Sequence, residues 1–95
     1  MQFMISMKYT DQGIRTIKDA PKRTKAAREL AKKLGIEKSI YLTTGESDLV
    51  SFVETSNGDN VAKMALALGS AGNVHTRISR AWTEEEYYKL LSELP

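Results

Sequence analysis

Apolar and polar side chains alternate over residues 2–9, and this period of two predicts a half-buried β-strand. Runs rich in β-branched and aromatic residues predict a second strand that ends near residue 44 and a third over residues 49–54. A further alternating run predicts a fourth strand over residues 74–81. In the first strand Phe3, Ile5, Met7 and Tyr9 share one face, and Gln2, Met4, Ser6 and Lys8 share the other.

Helical periodicity lies between these strands, where apolar residues recur every three or four positions. The first such stretch predicts a helix over residues 21–34 that ends at Gly35 and has a basic outer face. The second predicts a helix over residues 60–71, capped by Asp59 and apolar on most of its surface, so we expect more than one neighbour to cover it. The stripes that face the core are Ala27, Leu30, Ala31 and Leu34 in the first helix, and Val61, Met64, Ala65 and Leu68 in the second.

Two shorter stretches complete the chain. Residues 10–13 indicate a break, after which Ile14 and Ile17 are expected to pack from a short helical turn. Trp82 is expected to anchor the core or an interface, and Thr83 with Glu86 forms a capping box that starts a terminal helix. The predicted packing stripe of that helix comprises Tyr87, Leu90, Leu91 and Leu94.

The order β-α-β-β-α-β, followed by a terminal helix, predicts a single ferredoxin-like α+β domain over residues 1–95. Its four-stranded antiparallel sheet has helices on one face only. The bare face is expected to carry Met4, Tyr41 and either Leu49 with Val53 or Val50 with Phe52. Burying four such side chains is worth roughly 6–12 kcal/mol, so we expect sheet-to-sheet packing in a homodimer, or in a higher oligomer that also uses the second helix.

The composition disfavours several classes of protein. The chain has 95 residues, which is enough for one domain. It has no cysteine, which is typical of proteins of the cytoplasm. A net charge of +2 implies neither a nucleic-acid nor a membrane partner, and the basic helix face is most simply a solvated surface. With one histidine and no carboxylate spacing typical of a metal loop, we expect no metal site and no cofactor.

The connection between the second and third strands is the most distinctive stretch. Gly45 stands where a tight two-strand turn needs a residue with positive φ. Asp48 can accept hydrogen bonds from backbone N–H groups within that turn. In the simpler interpretation both residues only shape the hairpin, and a direct role in ligand binding is the alternative.

Polar residues are expected on the bare sheet face if that face lies opposite Phe3 and Ile5. In one hypothesis Lys8 and Arg77 hold a carboxylate or phosphate there, and His75 acts as an acid or base. In the other, both cations pair with carboxylates across a dimer interface and His75 donates a structural hydrogen bond. Related folds also place their cavity between sheet and helices, which these side chains would not reach. The full polar set is Ser6, Lys8, Tyr41, Thr43, His75 and Arg77.

Six segments resemble the GYD-domain family, small proteins of unassigned function. They are residues 9–14 (YTDQGI), 17–23 (IKDAPKR), 41–45 (YLTTG), 48–50 (DLV), 65–69 (ALALG) and 72–74 (GNV). The family's name records a Gly-x-Tyr-Asp turn, of which Gly45 and Asp48 are present, while Ser47 occupies the position of the tyrosine. Any role of that tyrosine in packing or binding is therefore in question for this chain.

The same turn, with the helix and residues 72–77 that follow, is similar to the effector domain of Lrp/AsnC-type regulators. That resemblance implies a dimeric α/β-barrel that holds small ligands near the turn and at subunit contacts. Two functions are open: a small-molecule-binding or assembly module, and a cofactor-independent monooxygenase or isomerase of the dimeric-barrel type. The expected partners are a second copy and a small anionic ligand. Residues expected to bind that ligand are Lys8, Tyr41, Gly45, Ser47, Asp48, His75 and Arg77.

Overall fold

The structure, a computed structural model, describes residues 1–95. Four antiparallel strands form one sheet in the order β2-β3-β1-β4, and two longer helices cover one of its faces. This is the predicted ferredoxin-like α+β plan. The strands are β1 (Gln2–Tyr9), β2 (Glu37–Leu42), β3 (Leu49–Glu54) and β4 (Val74–Ala81). The helices are α1 (Asp11–Arg15), α2 (Ala20–Lys33), α3 (Gly58–Ser70) and α4 (Glu84–Ser92), with a 3₁₀ turn (Ile17–Asp19) before α2.

The hydrophobic core lies between the sheet and the two covering helices. Ile5 and Met7 of β1 and Val53 of β3 are buried on the sheet side, as the period of two predicts. The predicted stripes of α2 and α3 are also confirmed, since all eight of their side chains are buried or partly buried. One buried cluster joins them: Ile5, Met7, Ala31, Ile36, Val53, Val61 and Met64.

The face of the sheet away from these helices is uncovered, and we call it the open face. The strand register decides which side chains lie there, because residues paired across antiparallel strands share a face. Met4 pairs with Phe52, and Val50 pairs with Tyr41, so the open face carries the Val50 and Phe52 set of β3. Phe52 is 51% exposed and Tyr41 58% exposed, whereas Met4 and Val50 are partly buried by their neighbours.

Two local predictions near helix starts are wrong. Asn57, not Asp59, caps α3, because its side chain already accepts the backbone N–H of Asp59 and starts the helix earlier. Ile14 and Ile17 do not pack: they are 53% and 38% exposed. The predicted break begins α1 instead, with Thr10 accepting the backbone N–H of Gly13.

The connection at residues 43–48 is longer than a tight turn, and this changes the roles of its residues. Strand β2 ends at Leu42, so Thr43 lies in the loop and outside the sheet. Gly45 does not have a positive φ; among the glycines only Gly35 and Gly72 do, at 67° and 81°. A loop of this length turns gradually, so no residue in it has to enter the left-handed region. At Gly35 the positive φ confirms the predicted end of α2.

The terminal helix α4 projects from the rest of the domain. Its capping box is formed as predicted, with Thr83 and Glu86 hydrogen-bonding each other's backbone N–H groups. Its predicted packing stripe is wrong for the single chain, because every side chain of α4 is exposed. The projection lengthens the molecule to 51 Å and gives a radius of gyration of 14.7 Å. A compact chain of this length has a radius of gyration of about 12 Å.

Candidate functional site

Four of the expected ligand-binding side chains lie on the open face. Lys8 of β1 pairs directly with His75 of β4, and Ser6 pairs with Arg77 two residues further along. Tyr41 is on the same face but on the opposite edge strand, with β3 and β1 between it and β4. Lys8, His75 and Arg77 are exposed and have no carboxylate within 4.0 Å, since the single ion pair in the chain joins the Met1 amino group to Glu54.

The other expected residues, Gly45, Ser47 and Asp48, lie in the 43–48 loop, and Asp48 bonds to the backbone on either side of Lys8. The sequence predicts that the Asp48 side chain accepts hydrogen bonds within the turn, and this prediction is wrong. Its Oδ2 instead accepts the backbone N–H of Tyr9 at 2.8 Å. The Asp48 backbone N–H donates to the carbonyl of Met7 at 2.9 Å. The Thr43 hydroxyl donates to the Ser47 carbonyl. Asp48 therefore ties the loop to the end of β1.

A cavity of about 490 Å³ lies on the other side of the sheet, between it and helices α2 and α3. Pockets for small molecules typically have volumes of about 300–1,000 Å³. Of its 17 lining residues, 13 are hydrophobic. Met7, Ile40, Leu42, Leu49 and Val74 form its sheet wall, and its helix walls include Ala27, Leu30, Ala67, Leu68 and Ala71.

The cavity exists because the facing helices carry small side chains. Ala27 of α2 and Ala67 of α3 line it where larger residues would close the space. Leu42 is 74% exposed and also lines it, so the cavity opens to solvent along the edge strand β2. Leu42 and Leu49 flank the 43–48 loop, so the loop borders one end of the cavity.

Few polar groups line the cavity, and two of them, Arg23 and Asn73, are engaged elsewhere. Arg23 donates to the carbonyls of Thr16 and Gly13 at 3.0 and 3.1 Å, which holds the start of α2 against α1. The Asn73 side-chain oxygen accepts from Gln12 at 3.0 Å. Lys38 of β2 is the charged lining residue that has no hydrogen-bond partner or ion-pair partner in the protein.

The environment of Lys38 changes its acidity. The side chain is partly buried, and burial, followed by the nearby guanidinium of Arg28, lowers the pKa of the Lys38 ammonium below its ordinary value. All the other lysines are exposed. No three histidine or carboxylate side chains come together as a metal site would require. None of the helices has both the length and the apolar character needed to cross a bilayer.

Comparison of the sequence with known protein families identifies the family of this chain. The family model of the GYD domain matches residues 3–91, which is nearly all of the chain. The chain belongs to the GYD-domain family. No curated protein and no solved structure matches it significantly.

In this GYD domain the loop that contains Gly45 and Asp48 borders the cavity but contributes none of its lining residues. Lys8, Tyr41, His75 and Arg77 lie on the opposite face of the sheet from the cavity. Reasoning from sequence therefore raised a cavity between sheet and helices only as an alternative and did not identify its lining. Two signals could have found it: alanines recur on the inner stripes of both helices, and Lys38 alternates in phase with the inward-facing Ile40 and Leu42.

Proposed function

We propose that this GYD domain is a homodimeric small-molecule-binding module and that its ligand occupies the cavity between the sheet and helices α2 and α3. The observation that carries the proposal is the cavity itself, which has the volume of a small-molecule site and a mostly hydrophobic wall. Apolar side chains that face water in the cavity lack the contacts that they would make in a packed core. A ligand with an apolar body supplies those contacts.

The homodimer is proposed from the open face. Phe52 and Tyr41 are each more than half exposed there, beside the partly buried Met4 and Val50. Contiguous apolar surface of this kind typically marks an interaction site. Because half of this surface is already covered within the chain, we expect dimerisation to recover about half of the 6–12 kcal/mol that full burial of four side chains would give.

Charges at the two ends of the open face suit a second copy in one orientation. Lys8 and Arg77 lie towards one end of the strands, and Glu37 lies opposite Glu54 at the other end, where Glu54 also binds the Met1 amino group. A two-fold axis perpendicular to the strands brings the basic end of each copy to the acidic end of its partner. This arrangement favours the interpretation in which Lys8 and Arg77 pair with carboxylates across the interface. The anion pocket built from Lys8, Tyr41, His75 and Arg77 stays a prediction.

The residue expected for catalysis does not reach the cavity, and the one titratable group on the cavity wall with a perturbed pKa is Lys38, so we place binding before catalysis. An enzyme of the dimeric-barrel type needs a titrating group beside its substrate, and His75 was the residue expected to supply it. His75 lies on the open face, away from the cavity, and the cavity wall includes neither a histidine nor a carboxylate. A cytoplasmic location and the membership of a wider dimeric-barrel superfamily also stay predictions.

A cavity-filling substitution tests the proposal. Ala67→Phe places a large side chain in the cavity, whereas Ala62→Phe places it on the exposed side of the same helix. We expect titration calorimetry with a small apolar probe, 1-octanol, to detect binding to the original chain and to Ala62→Phe but not to Ala67→Phe. Equal affinity of 1-octanol for all three proteins, or binding to none of them, would contradict the proposal.

A further inference from the structure

Lys38 is a charged residue in an inward-facing position. Its pairing with Val53 puts it on the helix-facing side of β2, the side that also carries Ile40. Val53 is buried in the core and Ile40 lines the cavity. The Lys38 side chain therefore runs along the cavity wall.

The Lys38 ammonium lacks the partner that a charge in this position normally has. Lysines are seldom removed from water unless a carboxylate or a hydrogen-bond acceptor compensates. The only ion pair of the chain lies elsewhere, between the Met1 amino group and Glu54. Glu37, the neighbour of Lys38 in sequence, points to the open face because side chains alternate along a strand.

The charged form of Lys38 is disfavoured in the free protein. Burial lowers the pKa of the Lys38 ammonium, and the positive charge of Arg28, an exposed residue of α2 that does not line the cavity, lowers it further. An anion beside Lys38 offsets both effects. The cavity thus combines a hydrophobic wall with one unpaired cation, which is the complement of an amphipathic anion.

We propose that the cavity binds a small organic acid whose apolar body contacts the hydrophobic wall and whose carboxylate pairs with Lys38. The inference rests on the proposed function and adds the chemical class of the ligand and the residue that anchors it. The anchor differs from the anion pocket predicted from sequence, which would use Lys8 and Arg77 on the opposite face of the sheet.

Paired probes separate the contribution of the carboxylate from that of the apolar body. Octanoate and 1-octanol have chains of the same length, and only octanoate carries a charge at neutral pH. Titration calorimetry of both probes would be run on the original chain, on Lys38→Met and on Lys25→Met. Lys25 lies on α2, is exposed and does not line the cavity, so its variant changes the net charge of the protein equally.

We expect Lys38→Met to weaken octanoate binding by about 10-fold or more, the loss typical of one charge-assisted hydrogen bond, and to leave 1-octanol binding unchanged. Lys25→Met should change neither affinity. If both probes bind the original chain equally and Lys38→Met alters neither, the inference is wrong while the proposed function stands. If neither probe binds the original chain, the proposed function fails and the inference with it.

Discussion

Replacement of Phe52 by alanine tests whether the open face is a dimer interface. Phe52 is 51% exposed in the single chain, and it pairs with Met4 near the middle of the open face. A phenylalanine side chain contributes roughly 200 Å², so about 100 Å² of Phe52 becomes buried on dimerisation. At about 25 cal/mol per Å² this burial contributes ~2.5 kcal/mol for each copy. A two-fold dimer contains Phe52 twice, so the total is ~5 kcal/mol.

Alanine retains part of that contact, and the partner's side chains can move towards it. We therefore expect Phe52→Ala to raise the dimer dissociation constant by at least ~100-fold rather than by the several-thousandfold that 5 kcal/mol represents. Sedimentation equilibrium over a range from micromolar to near-millimolar protein gives the constant directly. The matched control is Ile14→Ala, because Ile14 is 53% exposed but lies on α1, outside the sheet.

Circular dichroism would establish that both variants keep the original fold. If the original chain sediments as a monomer over the whole concentration range, the argument from the open face is refuted. An unchanged dissociation constant for Phe52→Ala would show that any dimer uses another surface. The projecting helix α4 would then be the next surface to examine, since its Tyr87, Leu90 and Leu91 side chains are also exposed.

Three further predictions concern the stability of the fold. A Cβ at Gly13 would lie 2.0 Å from the carbonyl oxygen of Asn73, so Gly13→Ala should lower the free energy of unfolding, measured by urea titration, by a few kcal/mol. The control is Gly45→Ala, because a Cβ at Gly45 would meet no atom within 4 Å and Gly45 has no positive φ. It should leave the free energy of unfolding unchanged or raise it slightly. Ser51 is 1% exposed and its hydroxyl has no hydrogen-bond partner, so Ser51→Ala should leave the melting temperature unchanged or raise it; a clear drop would reveal a partner. Burial lowers the pKa of Lys38, so the folded chain binds this proton less readily than the unfolded chain. The resulting destabilisation is fully present below the folded pKa, which includes neutral pH, and it disappears as pH rises from the folded to the higher unfolded pKa. Lys38→Met should therefore stabilise the fold at neutral pH, with a gain that shrinks in urea titrations at alkaline pH, and a gain independent of pH would contradict this origin.

Most of the fold follows from periodicity in the sequence. The alternation over β1 and the stripes of α2 and α3 identify the buried faces, because each element has one side that must leave water. The capping box of α4 and the positive φ of Gly35 are likewise local features that local residues determine. The capping residue of α3 was predicted wrongly. Asn57 and Asp59 are both residue types that cap helices well, and only the path of the preceding chain decides which of them does so.

The errors in the candidate site have a different cause. The sequence indicates which face a residue occupies, but not how far apart two covering helices lie, and the cavity depends on that separation. Small residues such as Ala27 and Ala67 permit both close packing and a cavity, and periodicity cannot distinguish the two. The role of Asp48 was also mispredicted, because its partner, the backbone N–H of Tyr9, is 39 residues away in sequence.

The central claim is that the ligand lies between the sheet and helices α2 and α3. Isotope-filtered nuclear Overhauser spectroscopy of unlabelled 1-octanol bound to ¹³C-labelled protein tests it most directly, because it reports which methyl groups touch the probe. The account predicts contacts from the probe to methyl groups of Leu30, Ile40 and Leu68, all of which line the cavity. Contacts to Met4 and Val50 on the open face instead would contradict it.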